Sequence, residues 1–166
     1  MPNPLPPSEL ILKHLQLAPL SQQTFASPFI RSQHRATRHW LTRRQNIDSS
    51  SPIAQIEGLL QAFTHLCDLQ DWVTASKLLT LRLNTPTQEE LDNQLHTWGY
   101  YQQQRSLYEP LLGKLNDEWQ AILLNGLGNV HNSLGNHHTA LTYHQQTSKS
   151  PKKLATCEAK PTPWAT

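Results

Sequence analysis

The sequence predicts an all-α fold made of about three antiparallel helix pairs, and three observations support this. Apolar side chains recur every three or four residues through most of residues 51–147, which is the spacing of one helix face. Short polar or glycine-bearing stretches interrupt these runs, as they do between the two helices of a hairpin. Two runs begin with the pairs Ser51-Pro52 and Thr85-Pro86, which are typical of helix starts.

Residues 1–50 have a different texture, and we expect a basic segment that is disordered or weakly helical. Residues 1–7 are rich in proline and are predicted to be disordered. Ser8 is predicted to cap a short helix that ends before Pro19. Residues 28–44 suit one weak amphipathic helix with a basic face.

The first predicted hairpin spans residues 52–82. One apolar stripe runs from Ile53 to Leu66, and a second begins at Trp72 after the short break "DLQD". We expect two antiparallel helices on either side of this break.

The second predicted hairpin spans residues 85–115. Thr85 is expected to cap its first helix with Gln88 completing a capping box, and the helix should break at the "WG" of Trp98. Pro110 removes one backbone donor and should kink the second helix. The third predicted hairpin, residues 118–147, breaks at a glycine-bearing turn.

The stretch "NGLGNVHNSLG" raises the question of a phosphate-binding loop. Gly126, Gly128 and Gly135 do not have the G-x-G-x-x-G spacing, no Lys-Ser/Thr pair follows them, and "EWQAIL" before them does not resemble a strand. We therefore interpret Gly128 as a packing residue and Gly135 as a helix-ending residue. No Ser-His-Asp arrangement or paired carboxylate stands out, so the sequence predicts no enzymatic activity and no cofactor.

The three breaks "DLQDWVTAS", "TWGYYQQQR" and "SLGNHHTAL" align with each other. Their spacing is 29 residues between the first two and 36 between the last two. The positions that we assign to this structural repeat are Leu69, Trp72, Ala75, Trp98, Gly99, Leu124, Leu127, Gly128, Leu134, Gly135, Ala140 and Tyr143. In the third unit these residues resemble the tetratricopeptide pattern W-x2-L-G-x2-Y…G…A.

On these residues, segment 52–147 resembles tetratricopeptide repeat proteins, and most of all the bacterial kind with many repeats and an "LGN" signature. The second unit departs from the pattern, with Asp92 at the packing glycine and Gln104 at the alanine. The resemblance implies a right-handed superhelical solenoid whose concave groove binds a protein or peptide without catalysis. It does not cover residues 1–50.

Four asparagines are the candidate ligand-binding residues. In such repeats the first helix of each pair faces the groove, and Asn93 has the same phase there as Asn129, while Asn125 and Asn132 share the face of Asn129. An asparagine amide both donates and accepts hydrogen bonds, so it can hold an extended peptide backbone. The alternative is that these are ordinary solvent-facing side chains.

Four histidines, namely His131, His137, His138 and His144, form a second cluster. His131 and His144 occupy positions where the repeat family has aromatic residues, so we expect core packing and no metal site. Cys67 and Cys157 lie far apart and suggest neither a zinc site nor a disulfide framework. This cysteine usage and the lack of a signal peptide favour the cytoplasm.

The charge is unevenly distributed, because residues 51–147 carry four Lys/Arg against nine Asp/Glu, whereas both ends of the chain are basic. An acidic repeat region favours a basic partner segment. The basic stretch 28–44 could contact nucleic acid, which we keep as a minor alternative function. No stretch approaches the ~20 apolar residues of a membrane helix, so no membrane partner is expected.

The tail after residue 147 does not continue the repeat. With permitted codons for Thr147 to Thr166, a shift of one base encodes "LKIAQEIGDLRGEANTLGN", which would continue the helix and open a fourth repeat. We therefore expect residues 148–166 to be disordered and interpret them as non-native coding. An alternative function follows: the chain is an N-terminal fragment of a larger signalling protein. An uncapped last repeat, bare at Leu141, also predicts self-association.

Overall fold

The computed structural model describes residues 4–17, 19, 24–25, 27–43 and 51–149, apart from the side chain of Lys149. These residues form an all-α fold, as predicted. Their α-helices are α1 (Ser8–His14), α2 (Pro28–Thr42), α3 (Pro52–Gln55), α4 (Glu57–Asp68), α5 (Trp72–Leu79), α6 (Leu91–Thr97), α7 (Tyr101–Tyr108), α8 (Asp117–Ser133) and α9 (His137–Lys149). The predicted disordered, non-native tail comprises residues 148–166; its first two residues, Ser148 and Lys149, are helical and end α9, and residues 150–166 lie outside the described part.

The described residues of the N-terminal segment join the main core. Ile11 and Leu15 of α1 and Leu41 of α2 are buried in the same apolar cluster as the later helices. Helix α2 packs along α4, and Pro4 is buried with its carbonyl accepting a 2.7 Å hydrogen bond from Asn84 N. Two helices were predicted in this segment and both are present, whereas Pro4, in the stretch predicted to be disordered, is buried; burial of apolar side chains holds these residues on the core.

The start of α2 has a local cause that sequence analysis missed. Ser27 lies in extended conformation directly before the helix, and its Oγ accepts a 3.2 Å hydrogen bond from Ile30 N. Pro28 follows in the first turn, where its missing N–H costs nothing. By contrast, Ser8 is the first residue of α1 rather than its cap.

The three aligned breaks share one turn geometry. Their central residues Gln70, Gly99 and Gly135 all have positive φ angles, of 57°, 80° and 79°. In each turn the next residue donates to the carbonyl five positions earlier, at 3.0, 2.9 and 2.8 Å respectively. This is the Schellman motif, in which a left-handed residue ends a helix and satisfies its last carbonyls.

The beginning of the second hairpin differs from the prediction. Helix α6 starts at Leu91, and Thr85 does not cap it. Instead Leu83 N donates to Glu89 O and Leu91 N donates to Leu81 O, each at 2.9 Å. This pairing folds residues 81–91 into a tight loop, because buried Leu81 and Leu83 hold its first half in the core. The non-local pairing therefore overrides the local capping signal.

Two further helices also differ from the predicted spans. The first helix of hairpin one is interrupted at Ile56, between α3 and α4. Pro110 does not kink α7 but ends it: the chain continues after Tyr108 as a 3-10 helix, Glu109–Leu111. A proline cannot donate to the α-helical ladder, so the chain tightens at this point.

Most of the residues assigned to the structural repeat are buried or partly buried. Ala75, Leu124, Leu127, Gly128 and Ala140 are buried. Trp72, Trp98, Leu134 and Tyr143 are partly buried and pack against the core. An added Cβ at Gly128 would lie 2.5 Å from the His144 ring, so a glycine is required for the close approach of α8 to α9.

Candidate functional site

A groove of about 550 Å³ lies between α6 and α8. Its floor comes from α7, through Gln104 and Tyr108. The four asparagines singled out from the sequence, namely Asn93, Asn125, Asn129 and Asn132, all line it, and all four are exposed. These four side chains therefore share one surface.

The two walls of the groove use positions that correspond to each other when the breaks at Gly99 and Gly135 are aligned. On α6 and just before it these positions hold Glu89, Asn93, His96 and Thr97, and 36 residues later α8 holds Asn125, Asn129, Asn132 and Ser133. Both walls therefore carry side chains that can donate or accept hydrogen bonds. Some of them are already engaged within the protein: Asn132 Oδ1 accepts a 2.8 Å hydrogen bond from His137 Nδ1, and Thr97 Oγ1 donates to Glu89 Oε2 at 2.8 Å.

A chain of hydrogen bonds crosses the floor and ends on Asp92. His96 Nδ1 lies 3.1 Å from Gln104 Oε1, which can only accept, so this nitrogen carries the proton. Gln104 Nε2 donates to the Tyr108 hydroxyl at 3.1 Å, and Tyr108 donates to Asp92 Oδ2 at 2.9 Å. Every donor in the chain therefore points towards the carboxylate.

Burial changes the electrostatics of this chain. Loss of solvent raises the pKa of the Asp92 carboxyl above its ordinary value, and the hydrogen bond from Tyr108 opposes the rise. Burial also raises the pKa of the Tyr108 hydroxyl, and the nearby charges of Asp92 and Glu90 raise it further. The tyrosine is thus a neutral donor at physiological pH, fixed against an acceptor that is partly shielded from water.

Gly126 brings α8 close to this floor. A Cβ added to it would lie 2.7 Å from Cε2 of the Tyr108 ring. Real Cβ contacts do not reach this distance, so a side chain here would displace the ring or the helix. The glycine spacing in the sequence argues against a phosphate loop at Gly126, but it does not predict this packing role.

A smaller cavity of about 200 Å³ lies on the corresponding face of the first unit. Leu60, Thr64 and Cys67 of α4 line it opposite Pro110. Thr64 occupies the position of Asn93, but its hydroxyl donates back to Leu60 O at 3.2 Å. Burial and the charge of Asp68 raise the pKa of the Cys67 thiol to about 11, so the thiol is protonated at neutral pH.

None of the described residues of the basic helix α2 lines the groove. Thr37 and Leu41 of α2 are buried, and Gln33 Oε1 lies 2.6 Å from His65 Nδ1 of α4. Arg31 and Arg43 lie over the rings of Phe25 and Trp40, at 5.7 and 5.4 Å from their centroids. Arg44, also part of the predicted basic stretch, lies outside the described residues.

The histidine cluster divides in the structure. His131 is buried and stacks on Tyr143 with ring centroids 5.4 Å apart, in accordance with a core role. Within the described ranges, no group of three or more His, Cys, Asp or Glu side chains is arranged to hold a metal ion. None of the described helices is long and apolar enough to cross a membrane.

Comparisons of this chain with protein-family models, with curated proteins and with solved structures find no match.

Proposed function

We propose that residues 51–147 form a tetratricopeptide-like array of three helical hairpins that binds an extended peptide or protein segment without catalysis. The observation that supports this proposal is that one groove is lined by Asn93, Asn125, Asn129 and Asn132. Three turns of the same geometry, at the aligned breaks, support the repeat interpretation.

The chemistry of the groove suits main-chain recognition. An extended peptide presents N–H and C=O groups on both edges, and Asn93 on one wall and three asparagines on the other can pair with them whatever the peptide side chains are. The walls are exposed and polar, so a bound segment would replace water with equivalent hydrogen bonds. The floor is rigid, because Gln104 and Tyr108 are buried and hydrogen-bonded.

Photo-crosslinking tests this proposal. A p-benzoylphenylalanine at Asn129 should crosslink bound peptides from a nonapeptide library, and the same group at Gln102, which is exposed on α7 and does not line the groove, should not. Equal crosslinking at both positions would contradict a binding groove. The triple variant Asn93→Ala/Asn125→Ala/Asn129→Ala should weaken binding about tenfold or more, if each lost hydrogen bond contributes about 0.5–1.5 kcal/mol.

A further inference from the structure

The titratable groups of the groove are unbalanced in charge. Glu89, Glu90 and Asp92 line it, and no lysine or arginine does. Among the described residues the ion pair is Arg105–Glu109, at 3.4 Å, which involves none of these three carboxylates. Negative charge in a concave surface attracts cationic groups, and more strongly there than on a flat surface.

Asp92 is the best-positioned of these acceptors. The chain through His96, Gln104 and Tyr108 holds its Oδ2 in place, and its Oδ1 accepts a 2.7 Å hydrogen bond from Asn93 N. A carboxylate has about four lone-pair sites, so acceptor capacity is left for a ligand. Its partial burial disfavours the charged form, and a cation in the groove would relieve that cost.

The groove also presents an apolar contact. Ile122 lies on the α8 wall and is 48% exposed, so its side chain is available to a bound segment. Asn125 follows it one turn later on the same wall. A segment that crosses the groove can therefore meet carboxylates from the α6 side and an aliphatic side chain from the α8 side.

We infer that the groove selects an extended segment carrying a lysine or arginine, whose cationic group binds Asp92 and Glu90 while an apolar side chain of the same segment contacts Ile122. This inference rests on the proposed function and adds the side-chain class that the site recognises. Charge-assisted hydrogen bonds to a partly desolvated carboxylate are stronger than neutral ones, so the cation contributes selectivity that the asparagines alone do not.

The test is a positional-scanning library of acetylated, amidated nonapeptides applied to the full chain, with Lys, Arg, Glu and Ala fixed in turn at each position. We expect Lys or Arg to be enriched at one position. Asp92→Asn should weaken the selected peptide by about 10- to 100-fold, which corresponds to a charged hydrogen bond. The matched control is Glu118→Gln, an exposed acid on α8 outside the groove, which should leave binding unchanged.

A double-mutant cycle separates direct contact from a change in the fold. The selected peptide is resynthesised with norleucine in place of its lysine. If the selected residue is an arginine, it is first changed to lysine and then to norleucine. Norleucine and Asp92→Asn together should then cost little more than either alone. Additive losses would overturn the inference.

The remaining outcomes distinguish the two proposals. Binding that needs the asparagines but shows no preference for Lys or Arg would overturn the inference and leave the groove as a general peptide site. Binding of none of the peptides would overturn both proposals.

Discussion

The second and third hairpins share a turn but differ inside. Both turns contain a glycine with φ close to 80°, Gly99 and Gly135. Between the helices, equivalent positions hold a polar triad in hairpin two and a packed triad in hairpin three. The polar triad is Asp92, Gln104 and Tyr108, and the packed triad is Gly128, Ala140 and His144.

This difference shows that one backbone arrangement accepts two solutions to helix contact. In the packed triad, the missing side chain of Gly128 lets His144 lie against the helix backbone. In the polar triad, hydrogen bonds of 2.9 and 3.1 Å join the three side chains instead. The polar solution has a consequence that the packed one lacks, because it fixes a carboxylate at the groove.

The largest effect on stability is expected when one residue of the polar triad is introduced at the equivalent position of hairpin three. Gly128→Asp places a Cβ about 2.5 Å from the His144 ring and a charge at a buried position. An uncompensated buried charge costs about 3–5 kcal/mol, so the free energy of unfolding in urea should fall by that amount.

The full transfer is the control for this prediction. Gly128→Asp/Ala140→Gln/His144→Tyr carries all three hydrogen-bonding groups into hairpin three, and it should recover more than half of the loss. A triple variant no more stable than the single one would show that the polar triad depends on other features of hairpin two.

Tyr108→Phe should break the polar triad from within. It removes the donor to Asp92 and the acceptor for Gln104, and leaving buried polar groups unpaired costs about 1–3 kcal/mol. The matched control is Tyr143→Phe in hairpin three, whose ring packs beside the core and stacks on His131. We expect Tyr143→Phe to lower the free energy of unfolding by less than Tyr108→Phe does.

The stability of the Tyr108→Phe variant should depend on pH because of Asp92. Its folded-state pKa is raised, so the folded state holds the proton to higher pH than the unfolded chain does. Stability therefore falls as pH rises above the ordinary aspartate value of about 3.9. The Tyr108 hydrogen bond lowers that pKa, so its removal should make the free energy of unfolding decrease more steeply with pH. Denaturation of Tyr108→Phe at pH 4 and pH 7 should therefore show the larger loss of stability at pH 7. An equal loss at both would contradict this assignment.

How far the sequence predicted these features depends on how local each one is. The helix pairs and their turns were predictable, since apolar spacing and a left-handed residue are encoded within a few positions. The start of α6 was not, because Leu83 and Leu91 pair their backbones across a loop and so override the capping signal at Thr85. The asparagine face was readable from helical phase. The contact between Asp92 and Tyr108 was not, because it joins two helices, and Asp92 stood out only as a departure from the repeat pattern.

His131→Leu should stabilise hairpin three. The equivalent core positions hold Leu66 and Leu95, both fully buried, whereas His131 is 8% exposed with its Nδ1 buried and without a partner in the described residues. Removing this unpaired atom should raise the free energy of unfolding by about 1 kcal/mol. His138→Leu, at an exposed position of α9, should give no such gain. A destabilised His131→Leu variant would instead show that the stacking on Tyr143 contributes more than the unpaired nitrogen costs.

The smallest expected effect concerns the turn that all three hairpins share. Gln70 adopts φ of 57° where the other two turns use glycine. A left-handed conformation costs an L-residue about 1–2 kcal/mol, and the greater freedom of glycine in the unfolded chain offsets about half of that. Gln70→Gly should therefore gain about 0.5 kcal/mol, and Gly135→Gln, where an added Cβ has open space around it, should lose a similar amount. Thermal unfolding of both variants measures the two changes under the same conditions. If Gln70→Gly destabilises the chain, then the glutamine side chain stabilises the first turn through contacts beyond the backbone, and the three turns are alike in shape but not in what holds them.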